Sequence, residues 1–343
     1  MTPVATLPNI DDLNHAVAKI PGPDWLAGMR RDALEQFRLR GLPRLNAALW
    51  QEGTCLRVPA GERLPQPVFL RHAAAEADAM LHPRLFVNMA DGADAVLVEH
   101  YVGEPGLAYW QNGVAEILLE RGARLTHLRI VEESDGATHT GLTVVRQSPA
   151  SAYRALNLIL GGRMVRHELA VFLDGEGAAA QLDGLFVADG RRHADNHLRV
   201  EHVAPRTTSR TTYRGLADGR GRGVFDARVT VHKGAAGADA RQSSRNLLLS
   251  PHAEIDAKPQ LEIYTDDVKC SHGATVGRLD EDALFYLRCR GIDEQTARQL
   301  LMEAFAGEAL GLLDDPGLSG LRDWLMPRLL AVLPRGKLRE DRP

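Results

Sequence analysis

Apolar residues in the first fifty positions recur at helical intervals. Leu13, Val17 and Ile20 mark one segment, Asp11 to Ile20. Leu26, Met29, Ala33, Leu34 and Phe37 mark a second, Trp25 to Arg40. Gly41 follows as a stop signal, and Pro21, Pro23 and Pro43 punctuate the two. From about Thr54 the pattern breaks into short runs such as Leu85-Phe86-Val87, Ala95-Val96-Leu97-Val98, Ala170-Val171-Phe172-Leu173 and Arg228-Val229-Thr230-Val231. These are too short for helices and rich in β-branched residues, so they predict strands. After Gly277 the helical period returns. Asp280 is placed to cap Glu281 to Arg290 before Gly291, and Asp293 to cap a helix whose Ala297, Leu300, Leu301, Ala304, Phe305 and Leu312 form one stripe. Leu318 to Leu333 is a third amphipathic stretch, interrupted by Pro327, and Arg335 to Pro343 reads as a basic tail.

A turn recurs through the strand-rich part: Asp91-Gly92-Ala93, Arg121-Gly122-Ala123, Glu176-Gly177-Ala178, Lys233-Gly234-Ala235 and His272-Gly273-Ala274. The glycines are 30, 55, 57 and 39 residues apart. The two longest gaps are near twice a period of about 28, as if two turns lacked the signature, while the last breaks the rule. Such a period predicts a solenoid of stacked coils that share one aliphatic core. An irregular β-sandwich is the other reading. The expected organisation is an N-terminal helical region at 1–50, a β-helical core at 51–277 and a C-terminal helical domain with a basic tail at 278–343.

Composition narrows the function. Of 343 residues 44% are hydrophobic and 25% charged, an ordinary globular balance, and a net charge of -4 gives no electrostatic footprint for nucleic acid. Cys55, Cys270 and Cys289 are sparse, odd in number and without CxxC spacing, which argues against a disulfide framework or structural zinc and for a reducing compartment. The residues after Met1 lack a basic segment followed by an apolar one, and no run suits a bilayer span, so a cytoplasmic protein without membrane contact is expected. There is no GxxxxGK[ST] loop, GxSxG elbow or HExxH helix. Gly161-Gly162 and Gly219 to Gly223 lack a strand–GxGxxG–helix context and read as loops.

Two segments could carry chemistry. In Val268-Lys269-Cys270-Ser271-His272-Gly273 a strand would set the Cys270 thiol and the His272 imidazole on one face, ligand types that suit iron or iron–sulfur species. The plainer reading is a small buried cysteine beside a hydrogen-bonded histidine. In Arg288-Cys289-Arg290 flanking guanidinium groups would favour a thiolate, but on a helix the three side chains diverge. His193 and His197 have helical ligand spacing in a stretch that reads as turn and strand, which discounts the pair. Asp266-Asp267 reads as a turn between strands.

The stretch from Asn246 to Gly291, above all Lys258-Pro259-Gln260-Leu261-Glu262-Ile263-Tyr264 followed by Cys270-Ser271-His272-Gly273, closely resembles the SufB/SufD family of the SUF iron–sulfur cluster assembly system, on its SufD branch. A looser likeness extends from about Leu45 to Leu313, including Val58-Pro59-Ala60-Gly61 and Leu64-Pro65-Gln66-Pro67-Val68. The resemblance implies a right-handed parallel β-helix flanked by helices. It also implies a non-enzymatic scaffold that pairs with SufB and binds the SufC ATPase through C-terminal helices, here roughly Asp280 to Leu313. A nascent iron–sulfur cluster would be held transiently and shared with SufB. His272 matches the family histidine that takes part, with Cys270 the weaker candidate beside it, while Cys289 gains no role. A homodimer of the isolated subunit is also implied, and a flavin stays open, though no residue pattern supports one. SufD proteins usually carry a longer N-terminal region than the passage from Gly41-Leu42-Pro43 to the core allows here, so functions tied to it are not expected. Two other classes stay open: a structural homodimer without a cluster role, and a β-helix enzyme acting on carbohydrate. The enzyme would need carboxylates clustered along a solvent-facing strip.

Overall fold

The computed structural model describes residues 29–30 and 42–334. The helices expected over 11–20 and 25–40 lie outside those residues, apart from the helical pair Met29-Arg30. Helix α1 (Leu42–Leu49) precedes seventeen strands that divide between two wholly parallel sheets. The first sheet contains β1 (Gly53–Val58), β3 (Met80–Leu81), β4 (Arg84–Met89), β6 (Trp110–Leu119) and β8 (Thr138–Gln147). It continues through β10 (Met164–Leu173), β12 (His193–His202), β14 (Arg222–Val231) and β16 (Glu254–Ile263). The second sheet takes the alternate strands: β2 (Val68–Ala74), β5 (Asp94–Gly103), β7 (Arg124–Glu132) and β9 (Ala152–Ile159). Its remaining members are β11 (Ala179–Ala188), β13 (Thr208–Ala217), β15 (Ala238–Leu248) and β17 (Val268–Gly277). The chain therefore crosses between sheets after nearly every strand, which makes a parallel β-helix and rules out the sandwich.

The register shows why it stacks. One inward column of the first sheet reads Val87, Ile117, Val145, Val171, Val200, Val229 and Leu261 on successive coils. All but the last are buried. Each such side chain contributes on the order of 1.5–3 kcal/mol when removed from water, and β-branched rungs pack well on a pleated surface.

The corners explain the repeat. Positions 61, 92, 122, 150, 177, 206 and 237 all have left-handed backbone and lie 27 to 31 residues apart. Their amides form a ladder to the next coil, from Gly61 N–H to Asp91 O at 2.8 Å through to Gly237 N–H to Asp267 O at 2.7 Å. The two turns without the glycine signature are Ala150 and Arg206, with φ of 57° and 55°. Gly234 is not the corner: the left-handed residue is Gly237, three positions on, after an extra turn closed by Ala235 N–H to His232 O. Gly273 is no corner either, but sits within β17 opposite Ser243.

Helix α2 (Glu281–Cys289) is capped by Asp280, which accepts from the amides of Asp282 and Ala283, and Gly291 follows with φ 84°. Helix α3 (Glu294–Gly307) is capped by Asp293. The stripe that sequence carries on to Leu312 continues not as α-helix but as a 3-10 segment, Glu308–Asp314, before α4 (Ser319–Val332). Leu310, Leu312, Leu321, Leu325 and Leu329 pack on Val98, Leu128, Ile130, Leu156, Leu158, Leu185, Val187 and Leu216, the outward face of the second sheet. That covering is why these strands are apolar on both faces in their second halves. Trp324 meets Phe69 and His100 edge-on, at 5.8 and 5.2 Å, so the segment that leaves the last coil reaches back to the first.

Candidate functional site

The end of the stack formed by β16 and β17 is where the sequence and the fold converge. β16 pairs only with β14 and β17 only with β15, so each presents an unpaired edge among the described residues. On β17 alternate residues face inward, and the register extends the interior columns to them: Ala240 leads to Cys270, Gln242 to His272, Asn246 to Val276. Among the described residues no further coil covers these rungs, and His272 and Val276 are exposed although they occupy core parity. Ile263 on β16, next after the buried Val231 in its column, is 43% exposed for the same reason, and Tyr264 beyond it is 56% exposed.

Cys270 and His272 therefore share one face, as the alternation predicts. Cys270 is half-buried against the core, and burial pushes its thiol pKa up, so it rests as a thiol that a metal would have to deprotonate. Beside it the buried Gln242 donates from Nε2 to Gln260 O at 3.4 Å, and its Oε1 has no partner. Cys289 is exposed on α2, and Cys55 is exposed on β1 at the other end of the stack. Among the described residues no group of three or more His, Cys, Asp or Glu could hold a metal by itself. Two donors from this chain are an incomplete set for an iron or cluster cargo.

His193 and His197 both lie on β12, a strand, so their spacing is not ligand spacing, and His197 Nε2 pairs with Asp195 at 2.7 Å. Asp266 and Asp267 form the turn between β16 and β17. Carboxylates on the outward face of the first sheet alternate with cations: Asp195 with Arg166 at 2.7 Å, Glu201 with Arg199 at 2.5 Å, Asp256 with Arg222 at 2.9 Å. They form ion pairs rather than the stacked acids a glycosidase strip requires.

A buried polar layer went unread in the sequence. The Glu99 carboxylate accepts from Tyr101 Oη at 2.8 Å and from His127 Nε2 at 2.9 Å, while His127 Nδ1 accepts from Tyr153 Oη at 2.9 Å. Burial alone would raise the Glu99 pKa, yet the hydrogen bond from His127 and the nearby His72 imidazole, 3.7 Å away, outweigh it and hold the group well below the carboxylate range. Next to it Arg129 contacts His139, which bonds Glu133 at 3.1 Å. The signal was a charged residue at core parity, Glu99 inside Val96 to Val102 and Arg129 inside Leu128 to Val131.

Residues 71–305 match the family model described as "SUF system FeS cluster assembly, SufBD core domain". The chain belongs to the SufB/SufD family. Within it the likeness is to SufD. The chain is 33% identical over 299 residues to the iron–sulfur cluster assembly protein SufD of Escherichia coli (85% of this chain, 69% of that protein). It is 35% identical over 263 residues to Protein ABCI7, chloroplastic, of Arabidopsis thaliana (74% and 55%). The chain thus spans a little over half to about two thirds of the length of these relatives. Among the described residues no helix is long and apolar enough to cross a membrane.

Proposed function

We propose that the chain is a non-enzymatic scaffold subunit for iron–sulfur cluster assembly, pairing with SufB through the uncovered last coil. The observation that carries this reading is the open rim itself: two strand edges unpaired among the described residues, exposed apolar residues, and an exposed imidazole on the same face as a half-buried thiol. Exposed edges invite strand addition, and main-chain pairing there would hide Ile263, Tyr264 and Val276. His272, with Cys270 as the weaker partner, would contact iron or the nascent cluster as transient cargo, the missing ligands coming from SufB. The SufC ATPase would dock on the region 280–313, where Phe285 and Tyr286 are 68% and 57% exposed and Leu300 also faces solvent. ATP-driven movement of SufC would then rearrange the rim. The setting is cytoplasmic, with neither membrane nor nucleic acid as partner. A second copy of the chain could cover the same rim isologously when SufB is absent.

The test is co-expression with SufB and SufC, co-purification, and anaerobic cluster reconstitution read by absorbance and iron content. Wild type is expected to co-purify and load. His272→Ala is expected to co-purify at wild-type yield and to lose cluster. Full loading by that variant removes the ligand role, and failure of the wild-type chain to co-purify removes the scaffold reading.

A further inference from the structure

The outward face of the second sheet is not wholly covered by the C-terminal segment. Where the covering stops, the first residues of β9 and β11 and most of β13 and β15, as far as Arg214 and Arg245, line a groove of about 740 Å³. The register brings Arg210 beside Arg241, Thr212 beside Ser243 and Arg214 beside Arg245. Neighbouring strands lie about 4.8 Å apart and residues four apart on a strand about 13 Å apart. Two pairs of guanidinium groups therefore face each other across two hydroxyls.

The charges are not balanced. Arg241 is held by its neighbour Asp239 at 3.0 Å, and Arg214 contacts Glu308. Arg210 and Arg245 reach no carboxylate within ion-pair distance among the described residues; Arg210 is attracted only at longer range by Asp183, and Arg245 stands against the like charge of Arg214. The acid on the adjoining rung, Asp183, stands beside Thr212 and is buried. It accepts from Gln181 Nε2 at 2.6 Å, the Thr212 side chain also serves it, and it shares the attraction of Arg210 with that of Arg154, so it offsets only part of the arginine charge. Arg214 is more than nine-tenths buried, lies 5.2 Å from the Phe305 ring, and its Nε has no hydrogen-bond partner. Burial first, then the like charge of Arg245, pull its pKa below the guanidinium range despite Glu308. On the opposite sheet Arg166, Arg222 and Arg228 each have a carboxylate. An excess of forked donors in a concave site, with one donor buried and unused, calls for a multivalent anion.

We propose that this groove binds a small molecule bearing linked phosphate groups, with Arg210 and Arg241 clamping one end and Arg214 and Arg245 the other. Guanidinium forks match phosphate oxygens in pairs, and Ser243 can donate to the bridging region. The two pairs are rooted about 13 Å apart on their strands, so even long side chains that converge on one ligand need more than a single phosphate group to bridge them. The ligand chemistry is shared by inorganic polyphosphates and nucleotides.

Titration calorimetry on the purified chain, at constant ionic strength, distinguishes these. Pyrophosphate is expected to bind saturably and orthophosphate at least tenfold more weakly. Tighter binding of ATP than of pyrophosphate identifies a nucleotide, and equal or weaker binding identifies the inorganic form. Arg210→Gln/Arg245→Gln should weaken pyrophosphate at least tenfold, whereas Arg228→Gln on the other sheet should not. Should the double variant lose its far-UV dichroism, Arg245→Lys keeps the charge without the fork and should still lose affinity several-fold. Absence of saturable binding, or equal affinity in wild type and the groove variants, overturns the proposal.

Discussion

At the scale of single residues, the interior of the stack is more polar than its aliphatic columns suggest. His202 is fully buried on β12, between the hydroxyls of Thr207 and Ser209, each at 2.8 Å. Burial lowers its pKa from 6.5 to about 4. Between those values the unfolded chain binds a proton that the folded chain refuses, so stability rises with pH across this window and falls as pH drops. One such histidine costs about 1.4 kcal/mol per pH unit. Urea midpoints between pH 7 and 4.5 should therefore decline, and His202→Gln should flatten the slope by about that amount. An unchanged slope in the variant would show that the imidazole is already charged in the folded protein. His139 and His167 are lowered for the same reason, burial, and add to the decline.

Elements carry the next lesson. The corner ladder needs a left-handed residue once per coil, and most coils supply glycine. Ala150 does not. An L-residue there costs roughly 1–2 kcal/mol, of which glycine would give back a part through its freer unfolded chain, about 0.4–1 kcal/mol. Ala150→Gly should raise stability by up to about 1.6 kcal/mol on balance, visible as a higher thermal midpoint. A lower one would mean that the Ala150 methyl group is a packing contact rather than a strain. These same corners fix how far the fold could be read from sequence. Gly92, Gly122 and Gly177 announce the period because their local preference agrees with the coil. Ala150 and Arg206 hide it because the stack overrides theirs, and the extra turn at Gly234 imitates a corner three residues early. The shared face of Cys270 and His272 was legible from alternation alone, and the helical texture after Gly277 marked theirs as the final coil. The arginine groove was not legible, since it depends on which residues of β13 and β15 stand side by side, a register that no local pattern encodes.

On the scale of the whole molecule, the C-terminal segment decides how the stack behaves. Solenoids contact mainly their neighbours and tend to come apart coil by coil. Here α4 and the 3-10 segment before it lie across the second sheet, with Arg154 bound to Asp315 at 3.2 Å near the middle and Arg328 to Glu132 at 3.3 Å near the start. Leu325 is fully buried in that contact. Leu325→Ala should cost about 2–5 kcal/mol and still give one cooperative thermal transition at a lower temperature. A biphasic melt, with the first coils separating early, would show that the coils are not bound together by this segment. The same strap begins at α2 and α3, beside the bare rim, and through Trp324 in α4 reaches β2. A pull applied to those two helices would not stop at the coil they adjoin. It would travel like tension in a bowstring to the opposite tip of the rod, loading every coil on the way.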